Sequence, residues 1–458
     1  MELRIDRQAL VPVVQQIVDA LAYWLRQGDI EPGTRLPSAR QIARTNLLSQ
    51  SSVVEACDRL VAQGVLASRH GTGFVVAAPL MTATDALWFE GVESQPVVAA
   101  AELKLGGGGL PESWRETDDL TYAIREVSRT DMASLFNYST SLGLPALRGQ
   151  ISKRLGLLDI AAQDQQIMTT AGASQGLDLI ARTLFKPGDC VVVESPGYSQ
   201  LFELLRLQGV SMLEVPRTPR GPDLEVLEAL LLEKKPRALF INSFYHNPTG
   251  SNLAPLVAQR VLQLSKRHGV QVIEDDVYAD LHSGPGTRLA ALDDQVIYVG
   301  SFSKTLSSSL RVGFVMAGAD VISRLAEVKR VSSLGASGFC EAVLARLLAS
   351  GAYRKLVLRL RQRLRHDREA ALQALEDAEW EVFGKPVGGL FIWARPRQSD
   401  YAQLRIQARR FGVRLSSSTA FSPTGQASDW QRINVACACD PRARAFFQAT
   451  ASDRPQAF

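Results

Sequence analysis

The first 76 residues carry apolar positions at the spacing of three short helices followed by a hairpin. In the first predicted helix these positions are Ile17, Leu21, Trp24 and Leu25. Ser38 and Gln41 have the spacing of a capping box, which predicts the start of a second helix. Ser49 is predicted to cap a third helix, whose buried positions are Val53, Cys57, Leu60 and Val61. Residues 65–76 turn at a glycine-bearing tip, which is typical of a hairpin.

From about residue 165 short apolar segments alternate with amphipathic ones. Strands are predicted at residues 190–193, 213–215, 238–241, 270–273 and 296–299, with helices at 224–232 and 256–268. This alternation is typical of a mostly parallel sheet covered by helices, an α/β fold. Because ligands bind beyond the carboxyl ends of such strands, we expect ligand residues within 194–198, 242–250, 274–278 and 301–304.

Several other stretches set the predicted domain boundaries. Residues 77–103 lack a clear period and contain Pro79 and Pro96, so we interpret them as a linker between domains 1–76 and 104–458. Four glycines at 106–109 are interpreted as a turn that opens the second domain, since no following lysine supports a phosphate loop. A long basic helix is predicted at 341–375. A small α+β subdomain is predicted after about residue 320, with strands at 388–393 and 413–421.

Composition narrows the class of protein without identifying a partner. The chain has 458 residues, enough for two or three domains, and its 46% apolar and 21% charged residues are ordinary for a globular protein. Charges at Glu2, Arg4 and Asp6 interrupt the apolar core that a signal peptide needs, and no apolar run is long enough to span a membrane. Five scattered cysteines, mostly in apolar segments, indicate reduced thiols and a cytoplasmic protein. The net charge of +4 is too small to indicate a partner.

One lysine lies in a segment suited to a phosphorylated aldehyde. Lys304 follows a predicted strand, with Ser301 and Ser303 just before it and Arg311 after it. A lysine amine can form a Schiff base with an aldehyde, while hydroxyls and a guanidinium bind phosphate by charge-assisted hydrogen bonds. Pyridoxal 5′-phosphate (PLP) carries both groups and acts as an electron sink. A surface lysine in a serine-rich loop is the alternative for this stretch alone.

Four other segments carry groups that fit the same cofactor. Small residues at 169–177 open a predicted helix, whose N-terminal N–H groups can bind phosphate. Tyr198 offers an aromatic face for stacking, and Asn247, in an Asn-Pro-Thr-Gly turn, offers an amide donor. Asp275 and Tyr278 follow a predicted strand, and an acid beside a pyridine nitrogen keeps it protonated. Taken singly, these signals are also explained by an ordinary helix start, a turn, a core tyrosine or a solvated acidic run.

Residues 1–76 resemble the GntR family of transcription regulators. The resemblance rests on Leu36-Pro37-Ser38-Ala39-Arg40, on the third predicted helix, and on His70-Gly71-Thr72-Gly73-Phe74-Val75. It implies a winged helix-turn-helix whose third helix enters the major groove of a double-stranded DNA operator. The residues implied to face DNA are Arg40, Ser49, Gln50, Ser51, Ser52, His70 and Gly71. The unit is barely basic and has Gln50 where the family often has arginine, so a helical interaction domain without DNA binding is the alternative.

Residues 104–440 resemble the fold type I aminotransferases of class I/II, through the order and spacing of the segments around Lys304. The resemblance implies that Lys304 forms the internal aldimine with PLP. It also implies that Asp275 pairs with the pyridine nitrogen, in preference to its neighbour Asp276, because the family spaces the acid and the tyrosine three apart. Further implied ring contacts are Asn247 and Tyr278 to the ring oxygen and Tyr198 stacked on the ring.

The same resemblance implies roles at the phosphate and at the substrate. The phosphate would be held by Ala173, Ser174, Ser301, Ser303 and Arg311. Tyr138 would reach the phosphate bound in the partner subunit of a dimer. Arg432 would bind a substrate α-carboxylate with a bidentate fork, and a surface arginine at a strand end is the alternative for this residue.

The order of the two modules resembles the MocR subfamily of bacterial GntR-type regulators. The implied architecture is a winged helix-turn-helix joined to a PLP-dependent transferase domain of fold type I, in a head-to-tail, domain-swapped homodimer. The implied function is a PLP-dependent transcription regulator that senses an amino acid or amine through an external aldimine. Two alternatives remain, namely a working aminotransferase with a vestigial DNA-binding domain, and a DNA-binding module whose large domain only dimerises.

Overall fold

The computed structural model describes residues 3, 5, 13–27, 34–62, 65–69, 73–76, 102–111, 114, 118–130, 136–282, 286–397, 401–417 and 419–451. The chain divides into two compact units, Met1–Glu93 and Ser94–Phe458. Most of the predicted linker lies outside the described residues, so its boundaries stay a prediction. Within the described residues no helix is long and apolar enough to cross a membrane. All five cysteines are free thiols.

In its described residues the first unit contains three helices and a two-stranded antiparallel sheet. Its elements are α1 (Val13–Gln27), α2 (Ala39–Thr45), α3 (Gln50–Ala62), β1 (Leu66–Arg69) and β2 (Gly73–Val76). Ser38 Oγ accepts the Gln41 N–H at 3.2 Å, and Ser49 Oγ accepts the Ser52 N–H at 3.0 Å, so both predicted serine caps are present. The fully buried core includes Ile17, Leu21, Val53, Cys57 and Leu60. Val61 was predicted to be buried but is only half-buried, because adjacent residues of a helix point in different directions and Leu60 faces the core.

The second unit is built on an eight-stranded sheet with the order β3-β10-β9-β8-β7-β4-β5-β6. The strands are β3 (Ile167–Thr170), β4 (Cys190–Ser195), β5 (Ser211–Thr218), β6 (Gly221–Pro222), β7 (Ala238–Ile241), β8 (Gln271–Asp275), β9 (Ile297–Ser301) and β10 (Gly313–Met316). Neighbours from β9 through β5 are parallel, while β10 and β6 run in the opposite direction. The predicted mostly parallel sheet is therefore confirmed. Its central strands are continuous apolar runs because helices cover both faces.

Helices cover this sheet and continue into a smaller C-terminal part. They are α4 (Asp118–Thr130), α5 (Pro145–Gly156), α6 (Ala173–Leu184), α7 (Ser199–Leu207), α8 (Leu224–Lys234), α9 (Pro255–His268), α10 (Leu289–Leu292), α11 (Ala319–Ser333), α12 (Gly338–Ser350), α13 (Ala352–Asp377), α14 (Tyr401–Arg410), α15 (Val435–Ala438) and α16 (Pro441–Ala449). The prediction of one helix over 341–375 is wrong. Gly351 takes a left-handed φ of +76°, which ends α12 and separates it from α13.

The C-terminal part contains a three-stranded antiparallel sheet, β11 (Glu381–Val382), β12 (Phe391–Arg395) and β13 (Gln431–Asn434), in that order. The predicted strand near 388–393 corresponds to β12. The strand predicted at 413–421 is wrong, since in its described residues only Val413 makes a bridge, to Leu103. Val413 and Phe421 are buried, so their apolar character reflects a packed loop instead of a strand.

Candidate functional site

A cavity of about 210 Å³ opens at the carboxyl ends of β4, β7, β8 and β9. Ten of the residues predicted to form a cofactor site line it, although they come from distant parts of the chain. They are Ala173, Ser174, Tyr198, Asn247, Asp275, Tyr278, Ser301, Ser303, Lys304 and Arg311. The parallel sheet explains this arrangement, because the ends of parallel strands meet at one edge.

Lys304 presents its amine to this cavity. Its Nζ donates a hydrogen bond to the Gly108 carbonyl at 2.8 Å. Removal from water, with the positive charge of Arg432 adding to it, lowers the pKa of Lys304 to about 8. The neutral amine is the nucleophilic form, so this environment makes Lys304 more reactive toward an aldehyde than an exposed lysine.

Asp275 is the last residue of β8 and carries an unsatisfied acceptor. Among the described residues its Oδ1 is buried and has no hydrogen-bond partner. Burial raises the pKa of Asp275 to about 7, and the charge of Asp276 acts in the same direction. Asp276 is engaged elsewhere, since it pairs with Arg288 at 2.6 Å and accepts the Tyr298 hydroxyl at 3.0 Å. Asp275 lines the cavity and Asp276 does not, so Asp275 is the acid that a ligand in the cavity can reach.

The other end of the cavity combines a helix N-terminus, hydroxyls and a guanidinium. Ala173 opens α6, and Ser303 Oγ is a second buried polar atom without a partner in the described part of the chain. Arg311 Nη2 donates to the Ala171 carbonyl at 2.9 Å. Gly172 has φ +81°, and a Cβ there would lie 2.6 Å from Arg311 Nη2, so glycine lets the guanidinium approach. These groups suit a phosphate.

Arg432, on β13, reaches the edge of the cavity through Asn247. Its Nη1 donates to Asn247 Oδ1 at 2.9 Å, while Nε and Nη2 donate to the Gly106 carbonyl at 3.0 and 2.7 Å. The guanidinium carbon lies 4.6 Å from the ring centre of Phe391 and 4.9 Å from that of Phe421. These contacts hold a half-buried guanidinium beside the cavity, unlike the surface arginine considered from sequence.

The glycine run at 106–109 belongs to the site, which its interpretation as a simple turn missed. The Gly106 carbonyl accepts from Arg432 and the Gly108 carbonyl from Lys304. Asn434 Nδ2 donates to the Gly107 and Gly109 carbonyls at 2.9 and 2.7 Å. A Cβ at Gly106 would lie 2.2 Å from Ser416 N, so the close approach needs glycine. Four consecutive glycines were the available signal.

A buried ion pair that reaches the cavity lining through Glu194 was also missed. Arg217 Nη1 lies 2.5 Å from Glu194 Oε1, and both side chains are almost completely buried. Arg217 Nε donates to Ser251 Oγ at 3.1 Å. Burial, with the positive charge of Arg217 adding to it, lowers the pKa of His246 well below its usual value, so this imidazole is neutral. No sequence motif pairs these residues, which come from three separate segments.

Tyr138, predicted to reach the phosphate of a partner subunit, is not among the residues that line the cavity. It is 87% exposed and follows Phe136, which is 78% exposed. The adjacent Ser139 hydroxyl donates to Glu341 Oε2 at 3.0 Å, which fixes the start of the next segment. A contact in trans needs an exposed side chain, so the role of Tyr138 stays a prediction compatible with this position.

Four of the residues predicted to face DNA, Ser49 to Ser52, lie at the start of α3, and Arg40 lies in the first turn of α2. Arg40, Ser49, Gln50 and Ser51 are exposed. Ser52 is half-buried, with its Oγ 2.7 Å from Ser49 Oγ. His70 and Gly71 lie outside the described residues. An exposed helix start with polar side chains is suited to contacts with phosphates and base edges.

Comparisons with known proteins match both parts of the chain. Residues 102–445 match the family model for aminotransferase class I and II, and residues 13–76 match that for bacterial regulatory proteins of the gntR family. The uncharacterised HTH-type transcriptional regulator YisV of Bacillus subtilis is 28% identical, over 85% of this chain and 85% of that protein. The 2-aminoadipate transaminase of Thermus thermophilus is 33% identical, over 70% of this chain and 80% of that enzyme.

A solved structure gives the same fold for the second unit. The α-aminoadipate aminotransferase LysN of Thermus thermophilus, complexed with N-(5′-phosphopyridoxyl)-L-leucine, superposes with a TM-score of 0.70. It is 27% identical, and the match covers 76% of this chain and 92% of that one. The match to YisV covers 85% of this chain, compared with 70% and 76% for the two aminotransferases.

Proposed function

Because the chain belongs to the aminotransferase class I and II family and carries a GntR-type DNA-binding domain, we propose that it is a PLP-dependent transcription regulator controlled by an amino compound. The observation that carries the proposal is that ten residues suited to PLP line one and the same cavity. Two of them, Asp275 and Ser303, hold buried polar atoms without partners in the described residues, and both fit the cofactor.

The cavity side chains divide the work of holding PLP. The cofactor supplies an aldehyde that a lysine or an incoming primary amine can bind covalently. Lys304 would provide the resident amine, Asp275 would keep a proton on the ring nitrogen, and Asn247 and Tyr278 would donate to the ring oxygen. Tyr198 would stack on the ring. The phosphate would be held by Ala173, Ser174, Ser301, Ser303 and Arg311.

Arg432 binds the carboxylate of an amino acid effector. Its guanidinium is already oriented beside the cavity by Asn247, Gly106 and the two aromatic rings. Substituting Arg432→Lys keeps the charge but removes the planar fork, so we expect the Kd of L-amino acids to rise roughly 10–100-fold. The corresponding decarboxylated amines should change less than about threefold, because they present no carboxylate to the fork. Absorbance titration of the PLP-loaded protein with L-amino acids and these amines measures both.

A matched control for Arg432 is available on the neighbouring strand. Arg395 also stacks on an aromatic ring, that of Trp430, but it pairs with Glu381 and lines a separate pocket. Arg395→Lys should leave the Kd values of both L-amino acids and amines unchanged. An equal loss for amino acids and amines in Arg432→Lys would contradict a carboxylate contact.

Arg40 contributes to DNA binding through a phosphate contact. Arg40→Ala should weaken binding to all sequences alike and reduce the slope of log K against log salt by about one. Fluorescence anisotropy with a duplex selected by the parent protein from a random pool measures both quantities. Arg59→Ala is the control, because Arg59 pairs with Glu55 in the last turn of α3. An unchanged salt slope in Arg40→Ala would argue against the phosphate contact.

A head-to-tail, domain-swapped homodimer completes the proposal. The exposure of Tyr138 supports it, because a side chain 87% exposed can contact the phosphate site of a second subunit. The decisive experiment titrates amino acids and amines into the PLP-loaded protein bound to its selected duplex. We expect a compound that perturbs the visible band to change the DNA affinity as well, as linkage requires. A parent protein without a visible band, or DNA affinity indifferent to every compound, would overturn the proposal.

An aminotransferase is the second candidate, and the complete set of cavity side chains favours it. Lys304, with its lowered pKa, is suited to move a proton at a substrate carbon as a general base. Sustained multiple-turnover formation of a 2-keto acid, without specific DNA binding, would support the enzyme over the regulator.

A further inference from the structure

Asn242 joins two of the proposed cofactor contacts. It directly follows β7, is half-buried, and lines the cavity. Its Nδ2 donates to the Asp275 carbonyl at 2.6 Å and to the Phe244 carbonyl at 3.2 Å. Its Oδ1 accepts the Asn247 N–H at 3.0 Å. Both donor hydrogens and the acceptor of this one amide are therefore used.

The backbone of Asn242 is fixed by the buried ion pair below it. Its N–H donates to Glu194 Oε2 at 2.9 Å, and its carbonyl accepts from Arg217 Nη1 at 3.0 Å. These charged partners are almost completely buried, so the bonds are stronger than neutral ones and are shielded from water. The Asn242 side chain thus projects from a rigid base toward Asp275 and Asn247.

The chain of contacts continues beyond Asn247. Asn247 Oδ1 accepts from Arg432 Nη1 at 2.9 Å, so the Asn242 amide is two hydrogen bonds from the carboxylate-binding guanidinium. The displacement of one side chain would therefore disturb both the acid proposed for the ring nitrogen and the donor proposed for the ring oxygen. Shifts as small as an ångström weaken such contacts.

We propose that Asn242 is a positioning residue that sets the mutual placement of Asp275 and Asn247 around the bound ring. The inference rests on the proposed PLP site. A positive ring nitrogen and a donor at the ring oxygen both disfavour a proton on the Lys304 nitrogen when PLP is bound. Without Asn242, the contact of Asp275 with the ring nitrogen and that of Asn247 with the ring oxygen are both weaker. The pH at which the Lys304 nitrogen loses its proton should therefore rise by about one unit.

The test compares Asn242→Leu and Asn242→Ala with the PLP-loaded full chain. The pH midpoint of the visible band is measured by absorbance, and the Kd of PLP by fluorescence titration of the apoprotein. We expect both variants to have a higher pH midpoint than the parent protein and a Kd for PLP about tenfold higher. Asn252→Ala is the control, because Asn252 Oδ1 also accepts a backbone N–H, that of Tyr245 at 2.9 Å, without touching Asp275 or Asn247. It should keep the parent midpoint.

The experiment distinguishes failure of the positioning role of Asn242 from failure of the proposed function. A parent protein without a visible band would remove the PLP proposal itself. A folded Asn242 variant with the parent midpoint would overturn only the positioning role, and so would failure of both variants to fold, which would assign Asn242 to the fold. In an Asp275→Asn background, Asn242→Leu should add less than it does alone, because the two residues act through one contact.

Discussion

Lys304→Ala is expected to abolish covalent attachment of PLP while leaving the fold intact. Borohydride reduction of the parent should fix about one phosphopyridoxyl group per chain on the peptide that contains Lys304, and the variant should carry none. Lys304 is half-buried, and in the described residues its Nζ donates only to the Gly108 carbonyl, so its truncation breaks one hydrogen bond and no direct ion pair. Peptide mass spectrometry after reduction measures the attachment, and circular dichroism measures the fold.

The control for this substitution is Lys355→Ala, at an exposed position on α13. It should label like the parent. Weak noncovalent binding should persist in Lys304→Ala, because Asp275, Asn247 and the phosphate groups remain. Equal labelling of Lys304→Ala and the parent, or labelling at another lysine such as Lys329, would refute the assignment. Lys329 is the main competitor, since burial lowers its pKa to about 8 as well.

Arg217→Met is expected to cause the largest loss of stability among these substitutions. It leaves Glu194 buried without its cationic partner, which costs about 3–5 kcal/mol of the free energy of unfolding. Urea-induced unfolding followed by circular dichroism measures this cost. The control Arg182→Met breaks the more exposed pair with Asp178 and should cost less than about 0.5 kcal/mol. A similar small cost for Arg217→Met would contradict the role of the buried pair.

The loss of unfolding free energy in Arg217→Met should become smaller as the pH is lowered. Burial raises the pKa of Glu194, and Arg217 opposes that rise. Without Arg217 the folded carboxyl keeps its proton at a pH where the unfolded one, with a pKa of about 4.3, has lost it. Folding then binds a proton, so stability falls as pH rises through this window and the loss shrinks in acid. The double variant Arg217→Met with Glu194→Gln should recover part of the lost stability, because no unpaired carboxylate remains buried.

Local pattern was sufficient for features that depend on neighbours in the chain. The serine caps at Ser38 and Ser49, and the apolar faces of α1 and α3, follow from spacing alone. The strands that end at Asp275 and Ser301 were predicted for the same reason, and parallel strands bring their carboxyl ends together. The resemblance of these segments to class I/II aminotransferases named the ten proposed PLP residues, and the structure gathers them around one cavity.

Features that depend on distant partners were missed or misassigned. The break at Gly351 falls inside a continuous helical pattern, and φ +76° is a property of the folded turn. Val413 and Phe421 are apolar because a loop is buried, which periodicity cannot distinguish from a strand. Asn242 is one polar residue after a strand, and its role needs both Asp275 and Asn247 in place.

The sequence alone determined the two modules, the parallel sheet and the side chains able to hold a phosphorylated aldehyde, because residue type and short-range spacing encode these. Tertiary structure decided how the two neighbouring acids differ, since Asp276 is held by Arg288 and Tyr298 outside the cavity lining, whereas Asp275 lines the cavity. It also decided that the glycine carbonyls at 106–109 meet Lys304, Arg432 and Asn434. The physical reason is that hydrogen bonding and removal from water depend on atoms hundreds of residues apart, which only the folded chain brings together.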